Sequence, residues 1–176
     1  MVKRLKNFLN LSALFKKKEK AIDLPEKVDD VEKISRSIFS PINVNKSNQL
    51  KTNAFRSRKD EDEVSVNRLD YTTPNFCKAF SKKIEQPDNK RNYFGLAILN
   101  TEEIRNIDAD VISSPVKEPD ELINPFHADL TVGYIVKKGE EIPAEISYKV
   151  KKITQTARFY KDPNPTDLNW TGNELI

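Results

Sequence analysis

Cysteine is nearly absent. Cys77 stands alone, so no disulfide can close within the chain, and a reducing, cytoplasmic setting is expected. Only four of the 176 residues are glycine, too few for the glycine-rich loops that cradle phosphates. His127 is the sole histidine. With one histidine and one cysteine, a zinc site would have to borrow two carboxylates, a poor match to the nitrogen and sulfur sets zinc prefers. No metal or cofactor is therefore expected. No apolar run approaches the roughly 20 residues a membrane-crossing helix needs. The opening Met1-Val2-Lys3-Arg4-Leu5-Lys6 is basic, but the apolar stretch after it is interrupted by Asn10 and Ser12 and meets Lys16-Lys17-Lys18, which makes a poor signal peptide. A large excess of one charge is lacking too. Thirty lysines and arginines face 27 carboxylates, a weaker bias than a dedicated nucleic-acid binder usually shows.

What is present fits one domain with tails. Hydrophobic residues make up 37% and charged residues 32%, so solvated segments are expected outside the core. Residues 1–33 read as a basic leader and linker. Within them Leu5, Phe8, Leu9, Leu11, Leu14 and Phe15 cluster at roughly helical spacing among lysines, as in a surface-docking amphipathic helix. Residues 34–161 read as one domain and 162–176 as a tail, with Trp170 expected to pin the tail to the body.

Inside the domain the pattern predicts a strand around Ile34–Val44, broken or placed at an edge by Pro41, and a short strand over Leu50–Arg56. Val64–Leu69 alternates as a strand does. Thr73-Pro74 begins a helix with a threonine cap and proline in the first turn. Tyr93–Leu99 is apolar throughout and reads as a central strand. A short helix follows at Thr101–Ile107, then strands at Ala109–Val116 and Ala128–Val136. Ile146, Val150, Ile153, Ala157 and Tyr160 recur at helical steps after Pro143. The fold class is thus α+β: a mixed or mostly antiparallel sheet, helices on one face, and a long C-terminal amphipathic helix.

Two constellations carry candidate chemistry. His127 and Asp129 stand at i and i+2 on an extended run, so both side chains share a face, and a histidine beside a carboxylate suits proton transfer near neutral pH. The simpler reading makes His127 a satisfied polar residue closing the loop after Pro125. Arg36, Arg56 and Arg68 lie in or beside apolar alternating runs, where a desolvated guanidinium needs an anion. With Ser65, Asn124 and His127 they form a candidate pocket for a phosphate-bearing ligand. The alternative is structural pairing with the acidic loop Asp60–Glu63. Cys77, on an apolar helix face, reads as core.

Four blocks, Arg36–Pro41, Asn53–Arg56, Glu63–Leu69 and Asn124–Asp129, resemble a family of small bacterial proteins without an assigned activity. The resemblance covers about residues 34–161. It implies a bacterial origin, a shared framework and a place in multi-gene systems, and it carries no chemistry to any residue. The leading functional expectation is a non-enzymatic accessory protein that binds a partner protein. The alternatives are an enzyme or binding domain for a phosphate-bearing substrate, and membrane-surface or nucleic-acid binding through Lys3, Arg4, Lys6, Lys16, Lys17 and Lys18. Oligomeric state is not legible.

Overall fold

The computed structural model describes residues 24–86, 88, 90–119 and 122–175; the expected leader helix, with the six basic residues named above, lies outside them. Six strands form the sheet: β1 (Lys33–Pro41), β2 (Glu63–Arg68), β3 (Arg91–Asn100), β4 (Asp110–Ser113), β5 (His127–Thr131) and β6 (Arg158–Lys161). Their spatial order is β4-β5-β2-β1-β3-β6, and every neighbouring pair is antiparallel. Among the described residues three α-helices accompany the sheet: α1 (Pro74–Lys83), α2 (Thr101–Arg105) and α3 (Ala144–Thr156). The class is α+β. Among the described residues, no helix is long and apolar enough to cross a membrane.

The helices do not share one face of the sheet. Residues paired across an antiparallel ladder point to the same side, and alternate residues point to opposite sides. Ile34, Ile38, Val64, Val66, Ala128 and Leu130 are buried together with Ile146, Val150 and Ile153 of α3. On the other side, Phe39, Tyr93, Leu96 and Ile98 pack with Cys77 of α1. The side chains of Ser35 and Ser37 meet those of Cys77 and Ser81 there. Strands β1 and β3 carry apolar residues on both sides because they are covered twice. The apolar count per strand therefore signalled two layers of helix, whereas the helix patterns alone do not say which side each takes.

Helix α1 starts as its sequence predicts. Thr73 is extended, its hydroxyl accepts from the Phe76 amide at 3.2 Å, and Pro74 follows. Helix α3 is shorter than its periodicity. It spans 13 residues, and Ala157 is already extended. Tyr160, expected on the helix, belongs instead to β6, which takes the free edge of β3 by pairing at Gly95–Ile98. A Cβ at Gly95 would run into the backbone carbonyl of Tyr160, so this close approach requires glycine.

Three expected strands are altered by local chemistry. Residues 52–55 form a 3-10 turn, not a strand, because Ala54 and Phe55 are buried consecutively, which an alternating strand with one covered face does not do. β5 stops at Thr131, short of Val136: the Asp62 carboxylate accepts from the Val132 amide, and Gly133 turns at positive φ. β4 stops at Ser113, before Pro115, which has no amide to donate. Pro41 does not put β1 at an edge. β1 is central, but its pairing with β2 is confined to Ile34↔Arg68 and Ser35↔Asn67, so the proline sits where β2 has already parted from it.

Candidate functional site

Register decides where the candidate residues go. Asn67 pairs with His127 and Ser65 with Asp129, so these four side chains share the α1 side of the sheet. Arg68 pairs with Ile34 and lies, with Arg36, on the α3 side. The expected pocket uniting Arg68 with His127 therefore does not form; the sheet itself separates them.

Arg68 is fully buried and fully engaged. Its Nε donates to Glu32 Oε2 at 2.8 Å and its Nη2 to Glu32 Oε1 at 2.7 Å, a bidentate fork. Further donors reach the carbonyls of Pro25 at 2.5 Å and Lys27 at 3.2 Å. The acidic loop at Asp60–Glu63 takes no part. Arg68 instead fastens residues 25–32 across the sheet end, and Val28 is buried beside it. Glu32 is the partner the sequence reading missed, since nothing local marks a carboxylate 36 residues upstream.

Asn124 is equally committed. It is buried, its amide donates to Asn67 Oδ1 at 2.7 Å, and its own Oδ1 accepts from the Phe126 amide at 3.1 Å. Ser65 is exposed, and Arg56 is exposed on the α3 side, at the rim of a small cleft of about 160 Å³ with Val132, Val136 and Ile146.

His127 Nδ1 lies 2.8 Å from the Ser114 carbonyl and 2.9 Å from the Ser114 hydroxyl. A carbonyl only accepts, so the ring proton sits on Nδ1. That leaves Nε2 facing Asp129 Oδ1 at 3.7 Å, beyond hydrogen-bond range. Histidine and aspartate do share a face. The nitrogen nearest a hydroxyl, however, is the one holding the proton, so Ser114 has no base to activate it. The ring fastens the loop between β4 and β5. Cys77 is buried, and burial pushes its thiol up to about 11, which makes it a poor nucleophile. Among the described residues, no group of three or more His, Cys, Asp or Glu is placed to hold a metal.

A second buried ion pair lies on the α1 side. Lys78 and Asp162 meet at 2.8 Å, both fully buried, and the Lys78 ammonium also donates to the carbonyls of Asn164 and Asn169. Trp170 packs nearby against the same core. The tail is thus held by an ionic anchor as well as by its indole.

A larger concavity lies elsewhere. A groove of about 690 Å³ is lined by Leu24, Pro115, Val116, Ile123 and Pro125, with Glu26 and Lys117 among the polar members of its lining. Ile123 is 45% exposed, and Ile112 on edge strand β4 is 53% exposed. Pro125 stood out in the sequence only as the entry to the His127 segment, and Leu24 and Ile123 did not stand out, because isolated aliphatics in a loop look like ordinary connection.

No protein-family model matches the chain, and neither a curated protein nor a solved structure does.

Proposed function

We propose that the chain is a bacterial, cytoplasmic accessory protein that works by binding a partner protein, with the groove at Leu24, Val116, Ile123 and Pro125 as its docking surface. The supporting observation is the groove itself: five apolar residues, Pro115 and Ile123 exposed and Leu24, Val116 and Pro125 half-buried, beside an edge strand, where burial of apolar area would drive association. Its occupant in this reading is a partner segment bearing apolar side chains. The polar candidates named from sequence are taken up by the fold at Arg68, Asn124 and His127, which favours binding over catalysis.

The test is a photo-crosslinking residue in place of Val116 in the full chain, expressed in its host. The captured protein, once purified, is expected to bind the wild-type chain directly and to lose at least about tenfold in affinity for Ile123→Glu, roughly 1.4 kcal/mol. Direct binding that is indifferent to Ile123→Glu would remove the groove from the reading.

Arg36 supports a second reading, in which an anionic group is bound. Its guanidinium donates to the main-chain carbonyls of Ser65 and Ala54, neither of which is charged.

A further inference from the structure

We propose that the Pro41 end of the sheet, where Arg36, Lys51, Arg58 and Arg91 gather, is a docking surface for the phosphate backbone of nucleic acid. It lies at the other end of β1 from the Arg68–Glu32 clamp and does not depend on the apolar groove.

The first observation is charge segregation. Residues 33–59 hold seven lysines and arginines and no carboxylate, in a chain whose totals are nearly balanced. The net charge of +3 conceals this, because acidic segments elsewhere offset it.

The second observation is that cations reach this end of the sheet from both faces, Arg36 on the α3 side and Arg91 beside Phe39 on the α1 side. Beyond Ser35, β1 and β2 no longer pair, and the Arg36 side chain occupies the gap. Its Nη1 donates to the Ser65 carbonyl at 2.6 Å and its Nε to the Ala54 carbonyl at 3.2 Å. Those bonds hold the guanidinium in place without neutralising it. Arg91 comes from the start of β3, its guanidinium 4.5 Å from the centre of the Phe39 ring. It pairs in the ladder with Pro41, whose carbonyl receives the Lys51 ammonium at 2.7 Å. Arg58 has an acidic neighbour, Glu61, only at 4.0 Å, with both side chains largely in water. Such an exposed pair cancels little of the local field.

The cations feel one another. Burial first, then Arg91 and Arg58, lower Arg36 to about 10, and burial followed by Arg58 lowers Arg91. A fold that gathers like charges with only one exposed, weakly paired carboxylate, Glu61, against Arg58 is poised for an external anion. Planar guanidiniums suit phosphate oxygens, which they grip in pairs. The cations come from three separate chain segments, with Lys51 and Arg58 exposed. That spread suits a run of phosphates on a polymer better than one small anion.

The experiment is fluorescence anisotropy with a labelled 20-nucleotide DNA and the full chain, at several salt concentrations. Four phosphate contacts predict a log–log slope of affinity against salt of about −3 to −4. Arg58→Glu and Arg91→Gln leave the Arg36 bonds intact; each is expected to make the slope shallower by about one and to weaken binding several-fold. Circular dichroism confirms that both variants fold. A Lys16→Gln, Lys17→Gln, Lys18→Gln chain reports on the leader and is expected to bind with the cluster's contribution intact. The proposal is overturned by any of four results: no salt-sensitive binding, binding indifferent to Arg58→Glu with Arg91→Gln, binding lost in the leader variant alone, or polyglutamate competing as well as DNA at equal charge. Binding of inorganic phosphate without binding of DNA would also overturn it, in favour of a small-anion site.

Discussion

Arg68 and Arg36 stand on neighbouring strands, on the same face of one sheet, each within an alternating run. Their circumstances are opposite. Arg68 has a carboxylate in bidentate contact and is fully buried. Arg36 has only neutral carbonyls as acceptors, and the charged groups that act on it are Arg91 and Arg58. The pattern that placed both guanidiniums on a face was local. What distinguishes them came from elsewhere: Glu32 reaches Arg68 from the position just ahead of β1, whereas the segment that supplies Ala54 to Arg36 contains no acid. A buried cation met by its own carboxylate is structural, and one left unneutralised is open to a ligand.

The largest effect should come from breaking the neutralised end. Glu32→Ala leaves Arg68 charged and buried with only neutral partners, two main-chain carbonyls, the Ser113 hydroxyl and the Tyr71 ring, and unfolding in urea should show a loss of about 3–5 kcal/mol. A loss below about 1 kcal/mol would mean that the clamp is incidental and the contrast with Arg36 misplaced.

Arg36→Met should cost less, about 1–2 kcal/mol, because two carbonyls lose a donor while the repulsion from Arg91 and Arg58 also disappears. Its pH dependence sharpens the contrast. Burial, then Arg91 and Arg58, lower Arg36 to about 10 in the fold, well below the value of a solvated guanidinium. Between those values the unfolded chain holds the proton more firmly, so this group's contribution to stability rises as pH passes upward through 10. The stability gap between wild type and Arg36→Met should therefore widen from about pH 9 to about pH 11. A gap that narrows would show that Arg36 is neutralised after all.

The smallest effect is expected on the opposite face. His127→Gln removes a hydrogen bond to the Ser114 carbonyl and should cost about 1 kcal/mol, with faster amide exchange in the loop after β4 as its local sign. A penalty above about 3 kcal/mol would make His127 a structural centre comparable with Arg68.

Much of the framework was legible because its signals are local. The Thr73-Pro74 start of α1, the alternation of Val64 and Val66, and the apolar run of β3 each reflect the geometry of a few adjacent residues. The ends of elements were read less well, since they depend on competitors: Asp62 taking the Val132 amide, and β3 drawing residues 158–161 off the end of α3. For the site, the shared face of His127 and Asp129 followed from a period of two. Their separation from Arg68 did not, because it depends on the register between strands and not on spacing within one. Lys78 was hidden by its type, a lysine on a helix being ordinarily solvated, and its partner Asp162 lies 84 residues away.

The sequence by itself determined that the chain has no internal disulfide, which stretches alternate, where α1 starts, and that residues 33–59 are basic without relief. These are properties of composition and near neighbours. Tertiary structure decided that α1 and α3 cover opposite faces, that Glu32 claims Arg68, that the Ser114 carbonyl sets the His127 proton, and that Arg36 and Arg91 reach the same end of the sheet. Each of those is a contact between distant segments, and hydrogen bonds and ion pairs form according to distance in space, which chain spacing specifies only within one element.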